Sequence, residues 1–143
     1  ESAAGYKACM RWTAFVVCPF TGGMTGLYTV VQDDWADWAA GDVVRITDGP
    51  GANQINLSEV WPNPAYGDKI ADLIINVDPA TGAAKLATNN LIFADYGQKT
   101  SAYIPSNGTN GYVFSCTGYI GLKIGLKYGS TDYGVNTLTL QRK

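Results

Sequence analysis

Tyr119-Ile120-Gly121-Leu122-Lys123-Ile124-Gly125-Leu126-Lys127-Tyr128 is the stretch on which the fold turns. Ile120, Leu122, Ile124, Leu126 and Tyr128 alternate with Gly121, Lys123, Gly125 and Lys127. Helical spacing would scatter those apolar side chains around a cylinder, whereas a two-residue period gathers them on one face. Each large apolar side chain so buried contributes about 1.5–3 kcal/mol before chain entropy is subtracted. The stretch is therefore a long strand with one face in a core. Glycines on its outer face suit strong curvature or close approach, as at a barrel bend.

Working outward, the same alternation recurs in shorter segments. Strands are expected over residues 6–14, 26–32, 42–47, 53–60, 70–77, 83–88, 91–93, 100–104, 112–116 and 135–141, with Leu138 and Leu140 inward in the last. Residues 1–5 read as a flexible lead-in. Turn chemistry separates the strands: Asp48-Gly49-Pro50-Gly51, Asp78-Pro79-Ala80-Thr81-Gly82 and Ser106-Asn107-Gly108-Thr109-Asn110-Gly111. Two prolines make residues 61–68 a loop. Residues 33–41 leave the sheet as one helical turn capped by Asp33 or Asp34. With no repeat or internal boundary, residues 1–143 form a single all-β domain, an antiparallel barrel or barrel-like sandwich of about 8–10 strands.

Composition narrows the function. The formal charge is −2, and the ten basic residues are dispersed, so no stripe exists for nucleic-acid phosphates. The longest uncharged apolar run, residues 14–18, is too short to span a bilayer. The chain starts at Glu1 rather than Met, which reads as a processed chain whose targeting segment has been removed. Cys9, Cys18 and Cys116 leave at least one thiol free or paired between chains; buried thiols and one disulfide are both open readings.

Histidine is absent, which removes Ser-His and Cys-His nucleophile pairs and imidazole metal ligands. No catalytic residues, metal site or cofactor are assigned. A carboxylate hydrolase needs only two acids about 5–10 Å apart. Most aspartates here, however, sit at turns and strand ends, where capping explains them better. Asp33-Asp34-Trp35-Ala36-Asp37-Trp38 is the densest polar–aromatic cluster. In one reading it is a sugar platform: Trp35 and Trp38 stack on a pyranose, Asp34 and Asp37 accept its hydroxyl protons, and Trp61 and Tyr66 extend the surface. In the other, the tryptophans plug a barrel end or anchor a loop. A calcium site from Asp33, Asp34 and Asp37 lacks the alternating acid-and-glycine loop of known motifs.

Several motifs in order resemble a known family: Cys18-Pro19-Phe20, Thr25-Gly26-Leu27-Tyr28-Thr29-Val30-Val31-Gln32-Asp33-Asp34-Trp35, Gly41-Asp42, Val77-Asp78-Pro79-Ala80-Thr81-Gly82, and Phe114-Ser115-Cys116-Thr117-Gly118-Tyr119-Ile120. Over residues 12–143 the chain is similar to the lipocalin-like β-barrel domains of bacterial cell-envelope lipoproteins. The resemblance implies an exported, envelope-located barrel without assigned activity, with any lipid-anchoring cysteine upstream of Glu1. It also implies a Cys18–Cys116 disulfide, with Cys9 free. Three functions follow as expectations. The first is a non-enzymatic module that binds a glycan or an envelope protein. The second is a lipocalin-type carrier of a small apolar ligand, which the many large inward residues disfavour. The third is the carboxylate hydrolase.

Overall fold

A computed structural model describes Phe20 and residues 23–143. Among them it holds eleven strands and no helix: β1 (Gly26–Asp33), β2 (Val43–Asp48), β3 (Gln54–Asn56), β4 (Asp68–Lys69), β5 (Ile74–Val77), β6 (Ala84–Leu86), β7 (Leu91–Asp95), β8 (Lys99–Tyr103), β9 (Gly111–Phe114), β10 (Tyr119–Tyr128) and β11 (Thr131–Arg142). Every strand pairing is antiparallel. The lead-in over residues 1–5, the strand expected over residues 6–14, and Cys9 and Cys18 lie outside the described residues.

β10 is the hub. One edge pairs with β11 from Tyr119↔Gln141 to Tyr128↔Thr131, across the hairpin at Gly129-Ser130. The other edge is shared: β9 takes residues 119–122, and β8 takes residues 125–128. Ile120, Leu122, Ile124 and Leu126 are fully buried and Lys123 is exposed, as the alternation requires; it fades at the far end, where Gly125 is buried too and Tyr128, expected inward, is only half-buried. The outer-face glycines have a definite cause. The Tyr119 ring occupies the place of a Gly121 Cβ, and the Tyr103 ring that of a Gly125 Cβ. Any side chain at either position would displace an aromatic ring.

From β10 the hydrogen-bonded path β9-β10-β11-β1-β2-β3-β5-β6 returns to its start. Ala83 bridges Tyr112, the Val113 N–H donates to the Gly82 carbonyl (2.8 Å), and the Asn110 N–H donates to the Ala84 carbonyl (2.8 Å). The sheet curls back on itself as a barrel, and β8, β7 and β4 continue it from the far half of β10, with Phe93, Ala94 and Ala102 in the same core. Asn110 clasps the seam. Fully buried, it accepts the Leu86 N–H at Oδ1 (2.9 Å) and donates from Nδ2 to the Lys123 carbonyl (3.0 Å). A buried polar group satisfied on both sides is a specific joint rather than a defect.

One apolar cluster fills the interior. Trp61, Tyr28, Phe93 and Met24 are its largest fully buried side chains, joined by isoleucines and leucines from β2, β3, β5, β10 and β11. The Tyr28 hydroxyl donates to the Met24 carbonyl (2.7 Å) and accepts from Arg142 (3.0 Å), so a phenol is carried in the core without an orphaned oxygen.

Three expectations are corrected. The helical turn over residues 33–41 is a non-helical loop, for reasons given below. The strand expected over residues 53–60 stops at Asn56, whose side chain accepts the Ser58 N–H (2.8 Å) and starts a turn that buries Leu57, Val60 and Trp61. The strand expected from residue 70 begins at Ile74, because Ile70 and Ala71 instead donate to the Phe93 carbonyl on β7. Cys116 is disulfide-bonded.

Candidate functional site

The site grows from the last residue of β1. Asp33 turns its carboxylate back on the chain that follows: Oδ1 accepts the Trp35 N–H (3.0 Å) and Oδ2 accepts the Trp38 N–H (3.1 Å). An aspartate that satisfies the next amides with its own side chain offers the backbone an alternative to a helix. Ala36 then takes a left-handed conformation (φ 64°), which no helical turn contains. Oδ2 of Asp33 also accepts from the buried Trp61 indole (3.2 Å). The capping role foreseen for Asp33 is present; the helix is not.

This turn directs Asp37 inward. Only 6% exposed, it accepts the Asn63 N–H (2.9 Å) and the Tyr96 hydroxyl at Oδ2, while its carbonyl accepts from the Asn63 amide (2.8 Å). Asn63 thereby stitches the loop after Trp61 to the loop after β1. It also accepts the Ala65 and Tyr66 N–H groups, forming the turn that carries Tyr66 outward.

Five aromatic rings and Asp37 line an open cleft of about 330 Å³: Trp35, Tyr66, Tyr96, Tyr128 and Tyr133. Trp35 meets Tyr96 and Tyr133 edge to face, at 5.8 and 5.7 Å between centroids and 75° between planes in each case. Tyr128 meets Tyr133 at 66°. The Tyr128 hydroxyl donates to the Tyr96 carbonyl (3.1 Å), which fixes that ring as a wall. Tyr133 owes its position to a bulge: the β10–β11 register slips between Gly125 and Lys127, and Gly134 takes φ 73°. Bulges of this kind re-aim side chains.

Burial is the main cause raising the Asp37 carboxyl above the usual carboxylate range. Its donors, Tyr96 and Asn63, oppose the rise, and the neighbouring Asp33 carboxylate adds to it. Asp33 is raised by burial too, against the pull of the Trp61 indole and three amides. Burial and the adjacent Asp37 carboxylate push the Tyr96 phenol far up, so it stays a donor.

Of the six expected binding residues, Trp35, Asp37 and Tyr66 come together in the cleft. The other three do not. Trp61 is fully buried in the core. Trp38 packs against that core and donates its indole N–H to the Val60 carbonyl (2.7 Å), anchoring the loop. Asp34 faces water beside β11, where it accepts from Gln32 (2.9 Å) and the Thr137 N–H (3.1 Å); those donors hold its carboxyl below the usual range. Among the described residues, no group of three acids or cysteines could hold a metal ion.

Tyr96, Tyr128 and Tyr133 are not among the expected binding residues, yet a signal exists. Of nine tyrosines, four precede a glycine, at Tyr66-Gly67, Tyr96-Gly97, Tyr128-Gly129 and Tyr133-Gly134. Those four line the cleft. Glycine marks where the chain turns at an element end, so a ring just before it lands at the rim of the barrel rather than on its flank. A second aromatic tract, Tyr112, Phe114 and Tyr119, lies elsewhere on β9 and β10 with near-parallel rings (22° and 23°). No family model matches this chain, and no curated protein or solved structure does either.

Proposed function

We propose that this domain is a non-catalytic binding module of the bacterial cell envelope that holds a glycan in the Trp35 cleft. The observation that carries the reading is the convergence of Trp35, Tyr66, Tyr96, Tyr128 and Tyr133 on one open cleft with a carboxylate, Asp37, at its edge. Aromatic faces supply apolar contact with sugar C–H groups, and a fixed polar group supplies orientation.

Location in the envelope is supported by the disulfide at Cys116, since such bonds persist mainly in oxidising compartments. It is supported further by the resemblance of the ordered motifs to those of lipocalin-like lipoprotein domains and by the curled eight-strand path. No helix of the described residues is long and apolar enough to cross a membrane. The carrier alternative is weakened by the large side chains that fill the interior. For a hydrolase, Asp33 and Asp37 are the acids to consider. Yet Asp33 is engaged by Trp35, Trp38 and Trp61 and does not line the cleft, so one carboxylate is available where two are required.

A glycan array carrying neutral, acidic and amino-sugar oligosaccharides tests the reading. The wild type should be retained on at least one glycan, with the signal reduced about tenfold or more in Trp35→Ala and in Tyr66→Ala. Tyr66 is 63% exposed, so its loss leaves the fold intact. No retention, or retention that neither substitution changes, would overturn the proposal.

A further inference from the structure

Among the described residues, the negative charge at the edge of the cleft has no basic partner. Asp37 is more than nine-tenths buried and lines the cleft, with Asp33 close enough to repel it. Among the described residues, no lysine or arginine acts on either carboxylate; the ion pairs present are Lys69–Asp72 and Lys99–Asp95. Among the described residues, no basic side chain lines the cleft. Of the two oxygens of Asp37, Oδ2 receives Asn63 and Tyr96, and among the described residues no hydrogen bond reaches Oδ1. A buried carboxylate without a counter-charge is costly unless something else supplies the positive partner.

The rings give the second, independent indication. Here Trp35 stands at 75° to both Tyr96 and Tyr133, and Tyr128 at 66° to Tyr133. Steeply inclined rings wall the cleft on more than one side, so that a compact group held there meets aromatic surface from several directions. Cations are attracted to aromatic faces, and quaternary and substituted ammonium groups are recognised in this way. The hydroxyls of Tyr96 and Tyr128 are turned to Asp37 and to the Tyr96 carbonyl, so their rings serve the cleft as walls rather than as hydroxyl donors.

We infer that the cleft recognises an ammonium group, set between the Trp35, Tyr128 and Tyr133 rings and paired with Asp37, so that its ligand is an amino sugar with a free amine rather than an acetylated one. This deepens the glycan proposal and rests on it. Recognition is by charge and needs no covalent step.

Calorimetric titration of the full chain with a glucosamine tetrasaccharide, its N-acetylated counterpart and tetramethylammonium chloride, all near neutral pH, tests the inference. The free-amine sugar should bind about tenfold or more tightly than the acetylated one. The preference should vanish in Asp37→Asn, and the comparison of the two sugars on wild type stands even if that variant fails to fold. Equal affinity for the two sugars would overturn the ammonium inference and leave the glycan proposal in place. If neither sugar binds but tetramethylammonium does, in an Asp37-dependent way, the cleft is a cation site and the glycan proposal fails. If none of the three binds, both fail.

Discussion

At the scale of single residues, the aspartates near the end of β1 divide their labour by environment. Asp33 organises a turn, Asp34 braces β11, and Asp37 is buried at the cleft. The sequence singles out this cluster, as a sugar platform or as a loop anchor, but cannot rank its members, because three aspartates within five residues differ only in what lies across from them. The ranking has a thermodynamic consequence. The folded-state pKa of Asp37 is raised, chiefly by burial. Its favourable contribution is therefore fully present below the unfolded value of about 4 and is lost as pH rises through the raised folded value. Denaturation curves of wild type and Asp37→Asn should show the wild type gaining on the variant as pH falls from neutral into that window. A gap that stays constant, or moves the other way, would mean that Asp37 is not desolvated in the folded protein.

At the scale of elements, β10, β11 and the β5–β6 hairpin were legible because alternation and turn residues agree there. What escaped were junctions, where long-range partners override local signals. Asn110 is the clearest case. In Ser106-Asn107-Gly108-Thr109-Asn110-Gly111 it reads as part of a surface turn, yet it is fully buried between β6 and β10. Nothing local distinguishes it from Asn107. Replacing Asn110 with Ala leaves the Leu86 N–H and the Lys123 carbonyl without that side-chain partner inside the protein, at a cost of about 2–4 kcal/mol. Hydrogen exchange should locate the damage: the amides of Leu86 and Val113 at the seam should lose protection, while those at the centre of β11 keep it. Uniform loss across the sheet would show that the seam is not a separable joint.

At the scale of the whole molecule, the barrel brings the ends of β1, β7, β10 and β11 to one rim, and that convergence creates the cleft. Fold class and half of the expected site could be read from local pattern. The remaining walls could not, because Tyr128 and Tyr133 face each other only through the β10–β11 hairpin and its bulge, and Tyr96, far from both in the chain, meets them only once the sheet has curled. A cross-link adds to this frame. Cys116 is disulfide-bonded, and the family resemblance points to Cys18 as its partner. Peptide mapping of the unreduced chain should recover a Cys18–Cys116 peptide with Cys9 free to alkylate, and reduction should cost about 2–5 kcal/mol of stability; a Cys9–Cys116 peptide would contradict the pairing. The most direct test of the central claim is to follow tryptophan indole N–H resonances by NMR during titration with the glucosamine tetrasaccharide. The account predicts that the Trp35 indole moves while the anchored Trp38 and the buried Trp61 stay in place. A ligand that shifts Trp61 or Trp38 and leaves Trp35 unmoved would contradict it.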